Sequence, residues 1–293
     1  MGELTTGGLL ITTADVPPSA DILRQSPWDD HSSHWDNIEP PLRPSAEDLC
    51  IVQSELNNLA RSRETVRALM LGVTRELTAI SWPGNSSLIA VDSSLSMLMR
   101  RWIPPANIGA DAIQGSWNNL PVPSESFDLV LADGSLSILP NATGLADVMH
   151  QISKALYPGG RIVTRVFVRS EVEDSVGNVV DAMQRRRFRS FHVFKWRLVM
   201  ALHDSTDEGV VLSQVYDTVN DLIPNRVAFA SDQRWSLESI NTIDAYRGVS
   251  GQYYFPRASE FAELSASNFI EVNRHFPTYE LGERCPTFVL SRK

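Results

Sequence analysis

Two absences narrow the classes of protein to which this chain of 293 residues can belong. Only Cys50 and Cys285 occur, which is too few for a disulfide framework or a cysteine metal cluster, so we expect two buried, reduced thiols. No apolar run approaches the roughly 20 residues of a membrane span. The first residues also lack the basic start and apolar core of a signal peptide. A cytoplasmic protein that does not enter a membrane is therefore expected.

The chain is also short of basic residues. It has 26 Lys and Arg residues against 35 Asp and Glu residues, which gives a net charge of −9. A nucleic-acid substrate would have to bind against this overall field, so no nucleic-acid partner is expected. The run at 185–196 mixes arginines with aromatic residues and can be interpreted as a surface for an anionic substrate. A helix with buried aromatics and solvated arginines fits the acidic balance better.

Apolar strands alternate with helical segments between residues 45 and 170. The pattern predicts strands at 66–71, 88–91, 112–114, 127–131 and 161–168, and helices after Pro44, at 95–102 and at 145–156. Strands separated by helices of this length form parallel units with right-handed crossovers. Their continuous apolar character is expected where helices cover both faces of a sheet. The pattern predicts an α/β fold with a doubly wound, mostly parallel sheet.

Two of the predicted strands end in residues that suit a nucleoside-like ligand. Gly72 follows the first strand, where glycine lets the backbone approach a ligand and the next helix directs its N–H groups at it. Asp92 ends the second strand, 20 residues later, at the spacing of the acid that holds ribose hydroxyls in doubly wound folds. The alternative for Asp92 is a helix N-cap, a role also open to Ser93 or Ser94.

The order of short motifs resembles that of class I methyltransferases that depend on S-adenosylmethionine (SAM). These motifs are the glycine loop, Val-Asp-Ser-Ser at 91–94, Gln-Gly-Ser-Trp at 114–117, Ser-Phe-Asp-Leu-Val-Leu at 126–131 and Ala-Leu-Tyr-Pro-Gly-Gly-Arg-Ile-Val at 155–163. The resemblance covers roughly 48–167 and resumes near 253–290. The family's acidic first position and its second and third glycines are replaced here by Met70, Thr74 and Glu76.

The resemblance implies a seven-stranded sheet whose last strand is antiparallel and inserted between its neighbours. It implies methyl transfer from SAM, with S-adenosylhomocysteine (SAH) as the product, by in-line displacement. Nine residues are expected to contact the cofactor: Gly72, Thr74, Glu76, Asp92, Ser93, Gly115, Ser116, Trp117 and Asp133. Glu76 is assigned to the SAM amino group, Ser116 to the adenine amine, and Trp117 to the wall beside the adenine ring.

The residues that would act on the methyl acceptor are less sharply indicated. Asp133 follows the fourth strand, where it can orient the acceptor, act as a base or simply cap the next turn. His31 and His34 enter the site if the N-terminal arm folds over it, which Trp28 and Trp35 favour because they are costly to leave in water. No histidine has a metal-like spacing, so no metal is expected.

The chain divides into four predicted parts: an arm or lid at 1–44, a SAM-binding core at 45–170, a helical cap insertion at 171–251 and the closing part of the core at 252–293. The arm is expected to be irregular, and disordered up to about Ser19. A closed cap suits a small-molecule acceptor better than a polymer.

Two alternatives stay open: a catalytically silent protein that keeps the SAM fold as a binding partner or scaffold, and an NAD(P)-dependent oxidoreductase. The missing glycines and Pro158-Gly159-Gly160 argue against the second.

Overall fold

A computed structural model describes residues 26–172 and 174–293, so the expectation of disorder up to about Ser19 lies outside the described residues. The strands are β1 (Val66–Leu71), β2 (Ser86–Asp92), β3 (Gly109–Gln114), β4 (Phe127–Asp133), β5 (Leu156–Arg165), β6 (Val210–Val211), β7 (Gln252–Tyr253), β8 (Phe269–His275) and β9 (Thr287–Arg292). The α-helices are α1 (Trp28–Ser33), α2 (Ala46–Ser62), α3 (Arg75–Thr78), α4 (Leu95–Arg101), α5 (Ala142–Ala155), α6 (Val176–Gln184), α7 (Phe191–Leu202), α8 (Leu212–Leu222), α9 (Arg226–Gln233), α10 (Leu237–Asn241) and α11 (Ala258–Ser265).

Seven strands form one sheet in the order β3-β2-β1-β4-β5-β9-β8. The first five strands are parallel, whereas β9 runs antiparallel to β5 and lies between β5 and β8. This topology confirms the predicted doubly wound sheet with an antiparallel, inserted last strand. Leu71 of β1 is in register with Val91 of β2 and with Ala132 of β4. The residues that follow these three positions therefore meet at the carboxyl edge of the sheet, where doubly wound folds bind their ligands.

Helix α2 illustrates how local sequence sets an element's start. The Ser45 side chain accepts from the backbone N–H of Asp48, and the Asp48 carboxylate accepts from the backbone N–H of Ser45. This capping box confirms the N-cap predicted after Pro44. Val52, Leu56 and Leu59 then bury one face of the helix against the sheet.

Strand β5 begins earlier than predicted, at Leu156 rather than at residue 161. Leu156 pairs with Phe127, but the next paired residue is Arg161, opposite Leu129. The intervening turn residues bulge out of the ladder, and Gly159 takes a positive φ of 74°. The turn into the fifth strand is thus present, as a bulge inside the strand rather than as a loop before it.

Helices α6 to α10 follow β5 and pack around an aromatic cluster that includes Phe191, Phe194 and Trp235. The sequence predicts four helices in this segment, at 180–187, 191–202, 211–222 and 237–246, and each overlaps a helix of the structure. Helix α9 was not predicted, because it buries only Ala230 and Gln233 and so has no apolar period. The two-stranded sheet of β6 and β7 was also missed, since two residues in each strand give no alternation.

The expectation of two buried thiols is wrong for Cys50, which is exposed on α2. Cys285 is buried, and burial raises the pKa of its thiol to about 12. Within the described ranges, no helix is long and apolar enough to cross a membrane.

Candidate functional site

Two adjoining cavities lie at the carboxyl edge of the sheet. The inner cavity, of about 90 Å³, is bounded by the ends of β1 and β4, by N-terminal residues and by residues of the segment that follows β5. The outer cavity, of about 280 Å³, extends from the end of β2 toward the surface. Trp28, Trp117, Ile138 and Tyr253 line both cavities. A single ligand can therefore extend from one cavity into the other.

Gly72 lies at the centre of this edge and lines the inner cavity. Its φ of +88° belongs to the left-handed region that favours glycine. A Cβ at this position would lie 3.6 Å from Ser135 Oγ, 3.7 Å from the Trp117 ring and 3.8 Å from Asp92 Oδ2. Three side chains thus lie around Gly72, and the close approach of a ligand to its backbone stays a prediction.

The two residues that replace the family's later glycines are placed differently. Thr74 is the N-cap of α3, makes no capping hydrogen bond with its side chain and lines the inner cavity. Glu76 lines neither cavity. Its carboxylate pairs with Arg43, whose guanidinium also donates to the carbonyl oxygen of Ile38. The Glu76–Arg43 pair therefore ties the N-terminal residues to the loop after β1.

Asp92 ends β2 with its side chain buried and lines the outer cavity together with Ser93. Its Oδ1 accepts a hydrogen bond of 2.8 Å from the backbone N–H of Ser94, the N-cap of α4. Burial raises the pKa of the Asp92 carboxyl to about 6, although backbone N–H groups of Ser94 and Val73 oppose the rise. The N-cap role thus belongs to Ser94, and Asp92 faces the cavity.

The turn after β3 supplies one wall of the outer cavity. Ser116 lines this cavity, and its Oγ accepts from the backbone N–H of Asn118. Trp117 lines both cavities and is held by a hydrogen bond of 2.7 Å from its Nε1 to the Val91 carbonyl oxygen. Gly115 lines neither, and a Cβ there would lie 2.7 Å from Pro121 Cγ. Glycine at 115 is therefore required by packing.

Asp133 lines the inner cavity, but its carboxylate already has a partner. Oδ1 accepts from Arg165 Nε at 2.6 Å and Oδ2 accepts from Arg165 Nη2 at 3.0 Å. Arg165 is 3% exposed and also donates to the carbonyl oxygen of Pro41 and to the Tyr279 hydroxyl. The sequence analysis missed Arg165, although the predicted neighbours β4 and β5 place it in register with Asp133.

The two N-terminal histidines occupy different environments. His31 is buried, lines the inner cavity and packs edge-on against Trp28 and Tyr246, with ring centroids 5.5 and 5.6 Å away. Burial and, next, the charge of Lys195 lower the pKa of the His31 imidazole to about 3. His34 is exposed and lines a separate surface pocket, which reaches the other side of His31. Of the two histidines, His31 is the one that reaches the inner cavity.

Residues after β5 that the sequence analysis did not single out complete the inner cavity. Trp196 of α7, Tyr246 of the 3-10 helix Thr242–Tyr246 and Tyr253 of β7 all line it. Their only signal in the sequence is an aromatic run that is equally typical of a core. Among the residues described, no group of three or more His, Cys, Asp or Glu side chains is arranged to hold a metal ion.

Residues 69–164 match a family model described as a methyltransferase domain. No curated protein matches the chain in sequence. A Burkholderia thailandensis 1,6-didemethyltoxoflavin-N1-methyltransferase, solved with its acceptor and SAH, is 14% identical, with 96% of this chain and 93% of that chain covered and a TM-score of 0.50.

Two further solved structures are similar at comparable identity. The N-methyltransferase NodS from Bradyrhizobium japonicum, solved with SAH, is 14% identical, with 91% of this chain and 98% of that chain covered and a TM-score of 0.46. A Rhodobacter sphaeroides protein named as a zinc-dependent alcohol dehydrogenase is 12% identical, with 89% and 97% covered and a TM-score of 0.51. At such identities these likenesses show the fold alone.

Proposed function

We propose that the chain is a class I methyltransferase that uses SAM and that it methylates a small, planar molecule bound in the inner cavity. The observation that carries this proposal is the position of the cavity. It opens at Gly72 and Asp133 on the carboxyl edge of the sheet and is closed on the other side by aromatic side chains, among them Trp35, Trp196 and Tyr246. Flat aromatic walls favour a flat ligand.

The residues at the sheet edge fit SAM. In our proposal the outer cavity takes the adenosine, with the ribose hydroxyls on Asp92 and the adenine ring between Ser116 and Trp117. Asp92 Oδ1 accepts from Ser94, which leaves Oδ2, beside Gly72, for the ribose. The methionine part would pass Gly72 and Thr74 into the inner cavity. SAM supplies a methyl group made electrophilic by its positive sulfur, so the protein mainly positions and desolvates the reactants.

The closure of the inner cavity supports a small acceptor. Trp28 and Trp35 cover it from the N-terminal side, and Trp196 and Tyr253 cover it from the segment after β5. A polymer would need an open groove, whereas these side chains leave a bounded space. In this proposal residues 26–44 act as a lid over the cavity. A cytoplasmic location and the absence of a nucleic-acid partner stay predictions from the sequence.

Three residues were candidates for the base that takes the acceptor's proton. Asp133 accepts hydrogen bonds from Arg165 with both oxygens, so we assign it to orientation instead. His34 lies outside the inner cavity. His31 lines the cavity, and its lowered pKa keeps the imidazole neutral and able to accept a proton at neutral pH. We therefore propose His31 as the proton acceptor.

Parallel calorimetric titrations of the purified protein with SAM, SAH and NAD(H), followed by a screen of acceptors, test this function. We expect SAM and SAH to bind and NAD(H) not to bind. Methylation of any small planar acceptor would exclude the silent scaffold. Failure of both sulfur compounds to bind would contradict the proposal, and binding of NAD(H) alone would favour the oxidoreductase.

A substitution sharpens the test of His31. His31→Phe keeps an aromatic ring of similar size against Trp28 and Tyr246 but removes both nitrogens. We expect this variant to bind SAH as the wild type does and to lose at least about tenfold in the rate of methyl transfer. His34→Phe is the matched control and should keep both properties. Equal rates for the two variants would show that His31 takes no proton.

A further inference from the structure

Lys195 is a buried cation that neither the fold nor SAM binding uses. It lies in α7 among apolar and aromatic residues, with 0% of its surface exposed. Its Nζ has no hydrogen-bond partner, and none of the ion pairs in the described ranges involves it. Burial lowers the pKa of the Lys195 amine to about 7. At neutral pH the amine is therefore only about half charged, and an anionic counter-charge bound nearby would favour its charged form.

The position of Lys195 indicates where this counter-charge would come from. Its Nζ lies 5.0 Å from the centroid of the Tyr246 ring, and this ring lines the inner cavity. Lys195 thus sits behind one wall of the cavity, on the side opposite the sheet. The cavity begins beyond this ring, and in a poorly solvated interior a charge acts over more than the distance from Nζ to the ring.

The titratable groups around Lys195 are basic or neutral. Burial and, next, the Lys195 charge lower the pKa values of His192 on the same helix and of His31 on α1, both to about 3. Tyr246 faces Lys195 from the 3-10 helix, and burial raises the pKa of its hydroxyl, so it stays neutral. His31, His192 and Lys195 therefore form a cluster of basic groups whose pKa values no carboxylate of the described residues shifts.

Three acids around the inner cavity and the surface pocket have cations, whereas Asp30, which also lines that pocket, forms no ion pair in the described ranges. Asp133 pairs with Arg165 and Glu76 pairs with Arg43. Asp244, in the surface pocket beyond His31, pairs with Arg226 and Arg247. None of these carboxylates is among the groups that shift the pKa of Lys195, so Lys195 is the residue that can carry a positive charge behind the Tyr246 ring.

We propose that the acceptor is a planar compound with an acidic hydroxyl, a phenol or an enol, and that Lys195 stabilises the oxyanion from which it reacts. This inference rests on the proposed function and names its substrate class. The hydroxyl proton passes by way of the His31 imidazole, which is too weak a base to keep it, to water in the surface pocket. The oxygen's electron pair forms the bond to the methyl carbon, and the carbon–sulfur bond breaks with its electron pair staying on sulfur.

An amine acceptor fits this environment less well. A neutral amine gains positive charge as it is methylated, and Lys195 opposes this charge, whereas it favours the negative charge of an oxyanion. The low pKa of His31 points the same way, because so weak a base takes a proton readily only from an acidic hydroxyl. Lys195 acts through the Tyr246 wall and is therefore a positioning residue.

Matched hydroxyl and amino compounds test the proposal. The complex of the protein with SAH is titrated with para-nitrophenol and with para-nitroaniline, and then with naphthol and naphthylamine. Binding is followed by absorbance, which also shows whether the bound nitrophenol is ionised. We expect the hydroxyl member of each pair to bind at least about tenfold more tightly and nitrophenol to bind as its anion.

Substitution of Lys195 shows whether this preference comes from its charge. Lys195→Met keeps the length of the side chain and removes the charge, so it should abolish the preference and shift the pH profile of nitrophenol binding upward. Lys154→Met, on the exposed side of α5, is the matched control and should keep both. The substrate class is overturned if nitroaniline binds as tightly as nitrophenol, if Lys195→Met keeps the preference, or if a protein that binds SAH binds none of the four compounds. A protein that does not bind SAH would instead contradict the proposed function.

Discussion

The sheet side and the helical side of the two cavities differ in how their polar groups are satisfied. On the sheet side, Asp92, Ser116 and Trp117 each hydrogen-bond to the backbone of a neighbouring turn or strand. On the helical side, formed by the N-terminal residues and α7, five buried polar atoms have no partner among the described residues: His31 Nδ1, Trp35 Nε1, His192 Nδ1, Lys195 Nζ and Trp196 Nε1.

This difference is informative because an unsatisfied buried polar group costs about 1–3 kcal/mol. On the sheet side, hydrogen bonds to the backbone hold these three side chains in place without a ligand. This arrangement suits SAM, which is the same ligand in every turnover. The helical side keeps hydrogen-bonding capacity that its own residues do not use. We take this capacity to serve the acceptor, whose identity distinguishes one methyltransferase from another.

The largest expected effect concerns Arg165, which connects the two sides. Arg165→Met would leave the Asp133 carboxylate buried without its cation and would release the Pro41 carbonyl oxygen. Removal of one partner from a buried ion pair destabilises a fold by about 3–5 kcal/mol. Urea unfolding of the variant should show a loss of this size.

Arg161→Met is the matched control on the same strand. Arg161 pairs with Glu55, but 31% of its side chain is exposed, and such pairs contribute about 1 kcal/mol or less. Equal losses for the two variants would mean that the Asp133–Arg165 pair has no special role in joining the sheet to the N-terminal residues.

A smaller effect is expected at Asp92, which tests the sheet side alone. Asp92→Ala removes the carboxylate proposed to accept from the ribose hydroxyls, and hydrogen bonds to a charged group contribute about 1.5–3 kcal/mol. The affinity for SAH, measured by calorimetry, should fall about tenfold to a hundredfold. Asp111→Ala on the neighbouring strand β3 is the control. An unchanged affinity in Asp92→Ala would refute the placement of the ribose.

The sheet side was predictable from sequence because its residues follow the rules of parallel strands. Gly72, Asp92 and Asp133 stand directly after buried apolar runs, and adjacent strands bring such positions together. The inserted antiparallel strand β9 was expected only from the resemblance to class I methyltransferases.

The helical side was not predictable in the same way. Lys195, Trp196 and Tyr246 come together only through the packing of α7 against the 3-10 helix and the N-terminal residues. No period or spacing encodes such contacts, since the same aromatic residues would suit any core. A lysine inside the apolar run of α7 was the one local irregularity that marked the place. The ion pair of Glu76 was likewise hidden, because its partner Arg43 lies 33 residues earlier in the chain.

On the helical side we expect a substitution that increases the free energy of unfolding instead of decreasing it. Lys195→Met should raise the free energy of unfolding by about 1–2 kcal/mol at pH 7, because it replaces a buried, unpaired amine with an apolar side chain of similar length. The pKa of this amine is about 7 in the fold and 10.5 in the unfolded chain, so the unfolded state binds more protons between these values. The wild type should therefore gain stability as the pH rises from 7 to 10, and the gain from Lys195→Met should shrink. Thermal melts that show the variant to be less stable than the wild type would point to a structural partner for Lys195.

The smallest expected effect is a dependence on pH, which Asp92 gives to both the stability of the fold and the affinity for SAH. The pKa of Asp92 is raised to about 6, so between pH 4 and 6 the folded state binds more protons at this residue than the unfolded state does. Asp92 thus contributes stability at low pH that is lost as the pH rises to about 6, by about 1 kcal/mol. Affinity for SAH should change in the opposite direction and increase over the same range, because ribose hydroxyls select the ionised carboxylate. Asp92→Asn should flatten both trends, as comparison of melts and titrations at pH 5 and 7 would show.

We propose that the sheet side binds the methyl donor and that the helical side binds the acceptor. The most direct test is a titration of two variants with two ligands. Asp92→Ala and Lys195→Met are each titrated with SAH, and their SAH complexes are then titrated with para-nitrophenol. The account predicts that Asp92→Ala loses affinity for SAH, while Lys195→Met binds SAH as the wild type does and loses affinity for nitrophenol. Loss of SAH binding in Lys195→Met, with nitrophenol binding unchanged, would contradict the assignment of the sheet side to the methyl donor and the helical side to the acceptor.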